Sequence, residues 1–216
     1  MKQKMFLSVL TLIMLIASPA WGQVSKDSRW KYKMDFYEGL ARVCNFDEQW
    51  GYINKAGKVV IPCQFSRAMD FHEGMARVQQ GGYDIGYIDK TGKVVIPCQW
   101  KDAWDFSGGV AQVMDKSNRW GVIDKTGKFI IEAQFKFLDR FHEGLANVEN
   151  FSGKWGYIDK TGKIVIPYQF EGARKFSKGL AAVKDKNDKW GFIDKTGKVV
   201  TPYQYTMGEI MRQGRW

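Results

Sequence analysis

The residues that could do chemistry in this chain are few, and most repeat. Its only histidines, His72 and His142, each follow a phenylalanine and precede a glutamate, seventy residues apart. A metal would need them to converge with further ligands, and nothing in their spacing brings them together, so they read as turn residues. Acids recur at Asp89, Asp124, Asp159 and Asp194, with Asn54 in the first position. A glycosidase needs two carboxylates across one cleft, about 5–10 Å apart, whereas each of these stands beside a lysine in a short polar turn. The Gly-Lys pairs lack the full glycine spacing and the following Ser or Thr of a phosphate loop. Tryptophan recurs at Trp50, Trp120, Trp155 and Trp190. Regular aromatics could stack sugars or bases, but one indole per repeat in a half-buried strand reads first as packing between units. Asn150-Phe151-Ser152 fits a glycosylation acceptor and reads as an ordinary loop.

The elements that carry these residues are set by a repeat. Lys55-Ala56-Gly57-Lys58 returns as Lys90-Thr91-Gly92-Lys93, Lys125-Thr126-Gly127-Lys128, Lys160-Thr161-Gly162-Lys163 and Lys195-Thr196-Gly197-Lys198, each 35 residues after the last. A second motif keeps the same period: Phe36-Gly39-Ala41-Val43, then Phe71, Phe106, Phe141 and Phe176 with their own Gly, Ala and Val. Two patterns sharing one period exclude chance and define a quasi-one-dimensional array. Each unit reads as three strands. The first is Gly-x-Ala-x-Val, with Ala and Val on one face; the second is the Trp-Gly-Tyr-Ile-Asp run. The third is a β-branched run such as Val94-Val95-Ile96, apolar on both faces and so expected to be covered on both. Its proline (Pro62, Pro97, Pro167, Pro202; Glu132 is the exception) cannot donate to a ladder, so the strand ends there or lies at an edge.

The Lys-Thr-Gly-Lys connection places glycine where a type I hairpin turn with a bulge needs positive φ. The linker after the third strand has apolar residues three apart, as in Phe65-Ala68-Phe71, which suits one short helical turn. One unit has too few apolar positions to offset the ordering of its own backbone, so neighbouring units must stack. The fold class is therefore all-β: tandem 35-residue repeats of three-stranded antiparallel sheets, stacked as an open solenoid. The alternative is a closed five-bladed propeller-like ring, disfavoured because such blades usually have four strands.

The organisation follows. Residues 1–22 read as a secretory signal peptide, with Lys2 and Lys4, an apolar stretch from Met5 to Ala17, and Ser18-Pro19-Ala20 before the cut. Residues 23–35 form an N-terminal cap and partial repeat. Five repeats occupy 36–70, 71–105, 106–140, 141–175 and 176–210, together 36–210, and 211–216 is a C-terminal partial repeat. Met207, Ile210 and Met211 could place a helical turn over the last sheet. No run in the remaining chain is long and apolar enough to span a bilayer. Three cysteines, Cys44, Cys63 and Cys98, are too few for a disulfide framework. Cys63 and Cys98 are equivalent in adjacent units. Sheets packed about 10 Å apart hold them beyond the roughly 7 Å Cα limit of a bridge, which favours thiols over a Cys63–Cys98 disulfide.

Net charge is +10, and removing Lys2 and Lys4 with the leader leaves +8. Lys58, Lys93, Lys128, Lys163 and Lys198 are candidate binding residues: a ladder of basic turns at one repeat spacing suits an anionic polymer. The competing reading is solvated turns that protect sheet edges, and the neighbouring acids reduce the local charge. The loops joining the first and second strands vary freely between units, and three of them carry aromatics, Phe46, Tyr83 and Phe151. Loops on a rigid frame are where recognition usually sits.

The quoted motifs resemble the bacterial WG-repeat family, also known in its Lys-Trp-Gly form, which is literal at Lys154-Trp155-Gly156 and Lys189-Trp190-Gly191. The resemblance covers about residues 30 to 216. It implies tandem β-units, often in exported or multidomain bacterial proteins, a role in molecular interaction, and no family catalytic residues. Two positions depart from the pattern, Ile85 for tryptophan and Glu132 for proline, and both are expected to mark irregular packing. The expected function is a non-catalytic exported scaffold, periplasmic or extracellular, that binds a protein or an anionic cell-envelope polymer. No cofactor, metal or nucleic acid is expected, and Trp50, Trp120, Trp155 and Trp190 are assigned structural roles. The alternative is an envelope-acting hydrolase whose site is not recognisable.

Overall fold

The computed structural model describes residues 29–212; the signal-peptide segment 1–22 lies outside them. Twenty strands and one helix follow in chain order. The first sheet is β1 (Tyr32–Tyr37), β2 (Leu40–Cys44), β3 (Trp50–Asn54) and β4 (Val59–Phe65). The second is β5 (Arg67–Ala68), β6 (Met75–Gln79), β7 (Ile85–Asp89) and β8 (Val94–Trp100), and the third β9 (Asp102–Ala103), β10 (Val110–Met114), β11 (Trp120–Asp124) and β12 (Phe129–Phe135). The fourth is β13 (Phe137–Leu138), β14 (Leu145–Glu149), β15 (Trp155–Asp159) and β16 (Ile164–Phe170). The last is β17 (Gly172–Ala173), β18 (Leu180–Lys184), β19 (Trp190–Asp194) and β20 (Val199–Tyr205), followed by α1 (Met207–Arg212). Every sheet is an antiparallel meander in which sequence neighbours pair, and none closes into a barrel.

Four strands per sheet corrects the expected three. The linker is not a helical turn: its residues 67–68 run extended and pair with the following sheet, Ala68 opposite Val78 and Arg67 opposite Gln79. The apolar spacing of three comes from a chain that leaves the edge strand at Phe65, turns at Ser66, and enters the next sheet one residue later. Phe65, Ala68 and Phe71 are all buried, as their types require, but in an extended path. The boundary between residues 70 and 71 thus falls inside one sheet, between β5 and β6.

The cores lie between sheets. Each joins one face of a sheet to the opposite face of the next: Leu40, Tyr52, Ile61 and Phe65 meet Ala68, Phe71, Ala76, Val78 and Ile88. The same sets recur between the second and third, third and fourth, and fourth and fifth sheets. Alternation in β2 and β3 therefore serves two interfaces at once. Tyr52, Tyr87 and Tyr157 cross these interfaces, and their hydroxyls donate to the carbonyls of Met69, Trp104 and Arg174 at 2.7–2.8 Å. Burial pushes all three phenols well above their ordinary range.

Among the described residues no hydrophobic core joins the last sheet to the first. Ala41, Val43 and Ile53 on the first face pack with Trp30 and Cys63. On the last face α1 sets Ile210, fully buried, against Ala182, Trp190 and Phe192, with Met207 beside them. The hydroxyl and amide of Thr206 both donate to Glu209 Oε2, at 2.8 and 2.7 Å, capping the helix start.

The third strand of each repeat (β4, β8, β12, β16, β20) is at the sheet edge, and in all but β12 it continues through a proline, which an edge position tolerates. Its covering on both faces is not observed. Ile61, Ile96, Ile131 and Ile166, with Phe65, Trp100, Phe135 and Phe170 at the strand ends, reach the core, while Val59, Val60, Ile164 and Val165 are exposed at 37–48%. Glu132 in place of proline leaves β12 the same length as its equivalents, so the expected irregularity is absent there.

The edge strand explains the glycine of Trp-Gly. Register slips twice as β3 pairs with β4, from Trp50–Phe65 to Tyr52–Ile61 to Ile53–Val59, so the bulged strand folds over Gly51. A Cβ there would stand 2.5 Å from the Ile61 carbonyl oxygen and 2.7 Å from the Cys63 nitrogen. Gly86, Gly121, Gly156 and Gly191 are equally crowded, at 2.6–2.7 Å. Backbone cannot give way as a side chain can, so the glycine is required even where Ile85 replaces tryptophan.

Candidate binding surfaces

Each central strand runs from a variable loop to a lysine turn, so the two sets of candidate residues stand at opposite rims. Five residues of strand separate them, about 16 Å.

At the turn rim, Asp89, Asp124, Asp159 and Asp194 organise the hairpin. The Asp89 carboxylate accepts the Thr91 hydroxyl at 2.6 Å, the Thr91 N–H at 2.9 Å and the Lys93 N–H at 3.1 Å. The threonine hydroxyl, aided by these amides, holds each carboxyl below the usual range. The turn glycine has φ near +87° in four units and lies against the preceding sheet: a Cβ on Gly92 would meet Ile61 at 3.0 Å. Both positive φ and this close approach select glycine.

The two lysines of each turn do different work. The first reaches back to the preceding sheet: Lys90, Lys125 and Lys195 donate to the carbonyls of Glu38, Glu73 and Glu143 at 2.7–3.0 Å. Each also pairs with that glutamate's carboxylate at 3.0–3.4 Å. The glutamates reach forward in turn. Glu38 accepts the N–H groups of Glu73 and Gly74 at 2.6 and 3.0 Å, and Glu73 those of Gly108 and Gly109 at 2.5 and 2.9 Å. Glu143 accepts the Gly179 N–H at 3.0 Å. The Gly109 amide, outweighing burial, holds the Glu73 carboxyl below its ordinary value, and Lys195 does so for Glu143. The ladder breaks once. Gly108 stands where a glutamate should, so Lys160 has no carboxylate partner among the described residues, and its Nζ lies 3.2 Å from where a Gly108 Cβ would be.

The second lysines are the sequence candidates Lys58, Lys93, Lys128, Lys163 and Lys198. All are exposed, and among the described residues none of their ammonium groups is held in an ion pair. The distinction between the two lysines, and the whole glutamate ladder, escaped sequence reasoning; the signal was the repeated Glu38, Glu73 and Glu143 at the lysine period.

At the loop rim, Phe46, Tyr83 and Phe151 are exposed at 68%, 92% and 61%. In four units the loop opens with Asn45, Asp115, Asn150 or Asp185, whose side chain accepts the N–H four residues on at 2.8–2.9 Å. The second unit instead has Gln80-Gly81-Gly82-Tyr83, and Gln79 Nε2 donates to the Tyr83 carbonyl at 2.6 Å.

The tryptophans are placed with the cores: Trp120 and Trp190 are buried, and Trp50 and Trp155 are half-buried against them. His72 and His142 occupy equivalent turns, His72 with Nε2 3.8 Å from Asp105. Burial, then the Lys175 charge, lowers the His142 pKa. Among the described residues no group of three or more His, Cys, Asp and Glu is placed to hold a metal ion. Cys44, Cys63 and Cys98 are free thiols, and burial raises the pKa of each. No helix of the described residues is long and apolar enough to cross a membrane.

Stacked four-stranded meanders with surface rims define an all-β repeat array. The chain belongs to the WG-containing repeat family, whose model matches residues 50–83, 85–118, 120–154, 155–190 and 190–209. No curated protein matches it. Among solved structures it is similar to the computationally designed Ika8 protein, at 10% identity over 79% of this chain and 61% of that one, TM-score 0.46. It is also similar to BamB from Moraxella catarrhalis, at 12% identity over 79% and 59%, TM-score 0.43. Kluyveromyces lactis Hsv2p matches at 10% identity over 77% and 62%, TM-score 0.47. The chain spans about six-tenths of the length of these structures.

Proposed function

We propose that the protein is a non-catalytic scaffold, exported through its leader at residues 1–22 to the periplasm or beyond, that binds a protein or a cell-envelope polymer. The observation that carries this reading is the exposure of Phe46, Tyr83 and Phe151 on loops anchored by rigid strand pairs. Large aromatics held in water at one rim contribute nothing to the cores and are suited to contact with a partner. The repeated acids serve their own turns, so they are not the carboxylate pair that the hydrolase alternative needs.

The test is capture from envelope extract by the immobilised chain, compared with Phe46→Ser/Tyr83→Ser/Phe151→Ser. Loss of a specifically retained partner in the triple variant supports the reading, and identical capture overturns it.

A second reading concerns the opposite rim, where five exposed lysines, in no ion pair among the described residues, repeat at constant spacing. An anionic polymer would bind there with affinity that falls steeply as salt rises, since exposed charges are screened within about 10 Å at 0.1 M. Changing Lys58, Lys93, Lys128, Lys163 and Lys198 to Gln should abolish retention on an anionic matrix. Unchanged retention would return these lysines to edge protection.

A further inference from the structure

The second unit has a cleft of about 150 Å³ at its loop end, bordered by Arg67, Met69, Arg77, Gln79, Ile85 and Asp102. Ile85 is the one position of the series where tryptophan is replaced, and the other units show what belongs in this space. In the first unit Trp50 stacks on Tyr32 at 6.4 Å, and the Arg42 guanidinium lies 5.7 Å over its ring. Trp120 meets Trp104 edge-on at 6.4 Å, Trp155 meets Phe137 at 5.4 Å, and Trp190 lies 3.2 Å from a Cβ built on Gly172. Shifted by whole repeats, Tyr32, Phe137 and Gly172 coincide with Arg67, Trp104 with Met69, and Arg42 with Arg77. The cleft is therefore the berth of an indole that this unit does not supply.

We infer that this cleft receives an aromatic side chain, indole-sized, from a polypeptide partner. This rests on the scaffold reading, and it names the chemistry that the partner must present. The walls suit such a ring. Arg77 is already fixed, with Nε 2.7 Å from Asp105 Oδ1 and a terminal N–H donating to the Ala103 carbonyl at 2.6 Å, so its guanidinium face is presented without further ordering. Arg67 offers a second cationic face, and cations over aromatic rings are attractive. Ile85 and Met69 supply apolar contact. Asp102 Oδ1 accepts the Ala103 N–H at 2.8 Å, leaving Oδ2 to accept a ring N–H. The source is a polypeptide because the cleft opens at the loop rim beside Tyr83, 92% exposed, so a bound chain would touch both.

The experiment follows the Ile85 and Met69 methyl resonances of the full chain during titration with a blocked Gly-Trp-Gly peptide. A blocked Gly-Leu-Gly peptide and free indole serve as comparisons. The expected result is a saturable shift with the tryptophan peptide and none with the leucine peptide. Ile85→Trp should fill the berth and abolish the Met69 shift while melting cooperatively. Arg67→Ala, an exposed change that keeps the test open should I85W misfold, should weaken binding about threefold. No shift, equal shifts with leucine, or binding undiminished in a folded I85W overturns the proposal. Free indole binding more tightly than the peptide overturns the polypeptide source. I85W leaves all three loop aromatics in place. Retention of an envelope partner by I85W would therefore sink the cleft and spare the scaffold reading.

Discussion

The turn rim and the loop rim hang from the same strands, yet they are built on different principles. At the turn rim one lysine, one glutamate and the turn glycine of the unit serve a neighbouring unit: lysine reaches back, glutamate reaches forward, and the glycine lies on a neighbour's isoleucine. At the loop rim the hydrogen bonds close mostly within each loop, and side chains are free to differ. Repetition is therefore strict where units couple and relaxed where they do not. Free variation makes the loop rim the better candidate for selective recognition, and the exposed lysines make the turn rim the candidate for bulk charge.

The sharpest way to break this contrast is to attack the strand that joins the rims. Gly156→Ala forces a Cβ to within 2.6 Å of the Ile166 carbonyl oxygen and should cost about 3 kcal/mol in chemical denaturation. Gly153→Ala, in a loop position where Glu48, Asn118 and Asp188 already hold positive φ, should cost about 1 kcal/mol. Equal losses would mean that the edge strand relaxes and that the Trp-Gly glycine is not a packing requirement.

A smaller effect is expected on the coupling ladder. Glu73→Gln removes the carboxylate that holds two amides and Lys125, and should lose about 1 kcal/mol after solvent screening. The converse change, Gly108→Glu, restores the missing rung opposite Lys160. Its side chain at φ +63° costs about 1 kcal/mol, which the new rung should offset. The melting temperature should therefore stay within about 1 °C of the parent, and a fall of about 2–4 °C would show that the rung does not contribute.

Acid should act on the same rim. The carboxyls of Asp89, Asp124, Asp159, Asp194, Glu73 and Glu143 lie below their ordinary values in the folded chain. Their stabilisation is present above the unfolded pKa, about 4, and is lost as pH falls through the folded values. Melting followed by circular dichroism should decline below about pH 4, less steeply in Glu73→Gln. A melting temperature flat down to pH 3 would refute the role of these carboxylates.

The smallest expected effect on stability is at the loop rim. The triple change of Phe46, Tyr83 and Phe151 to serine should alter unfolding free energy by no more than about 0.5 kcal/mol, because these rings are solvent-exposed. A larger loss would assign them to the fold and remove the support for partner binding.

Local chemistry was enough to reveal the period, the hairpin glycine, the two central strands and the residues that fill the cores. Positive φ at Gly92 follows from its turn, and the burial of Ala41 and Val43 from their alternation, both of which are settled within a few residues. The exposed lysines and loop aromatics were legible for the same reason. What remained hidden depends on contacts between residues far apart in the chain. The linker looked helical until Ala68 found Val78 in the next sheet. Val59 and Val60 looked buried until β4 proved to be an edge. Lys90 and Lys93 were indistinguishable until Glu38, 52 residues before Lys90, paired with one and not the other. The cleft beside Ile85 exists only because residues of three strands and two units surround a side chain too small to fill it. Burial, pairing and vacancy are properties of how units stack, and a sequence read unit by unit carries no record of them.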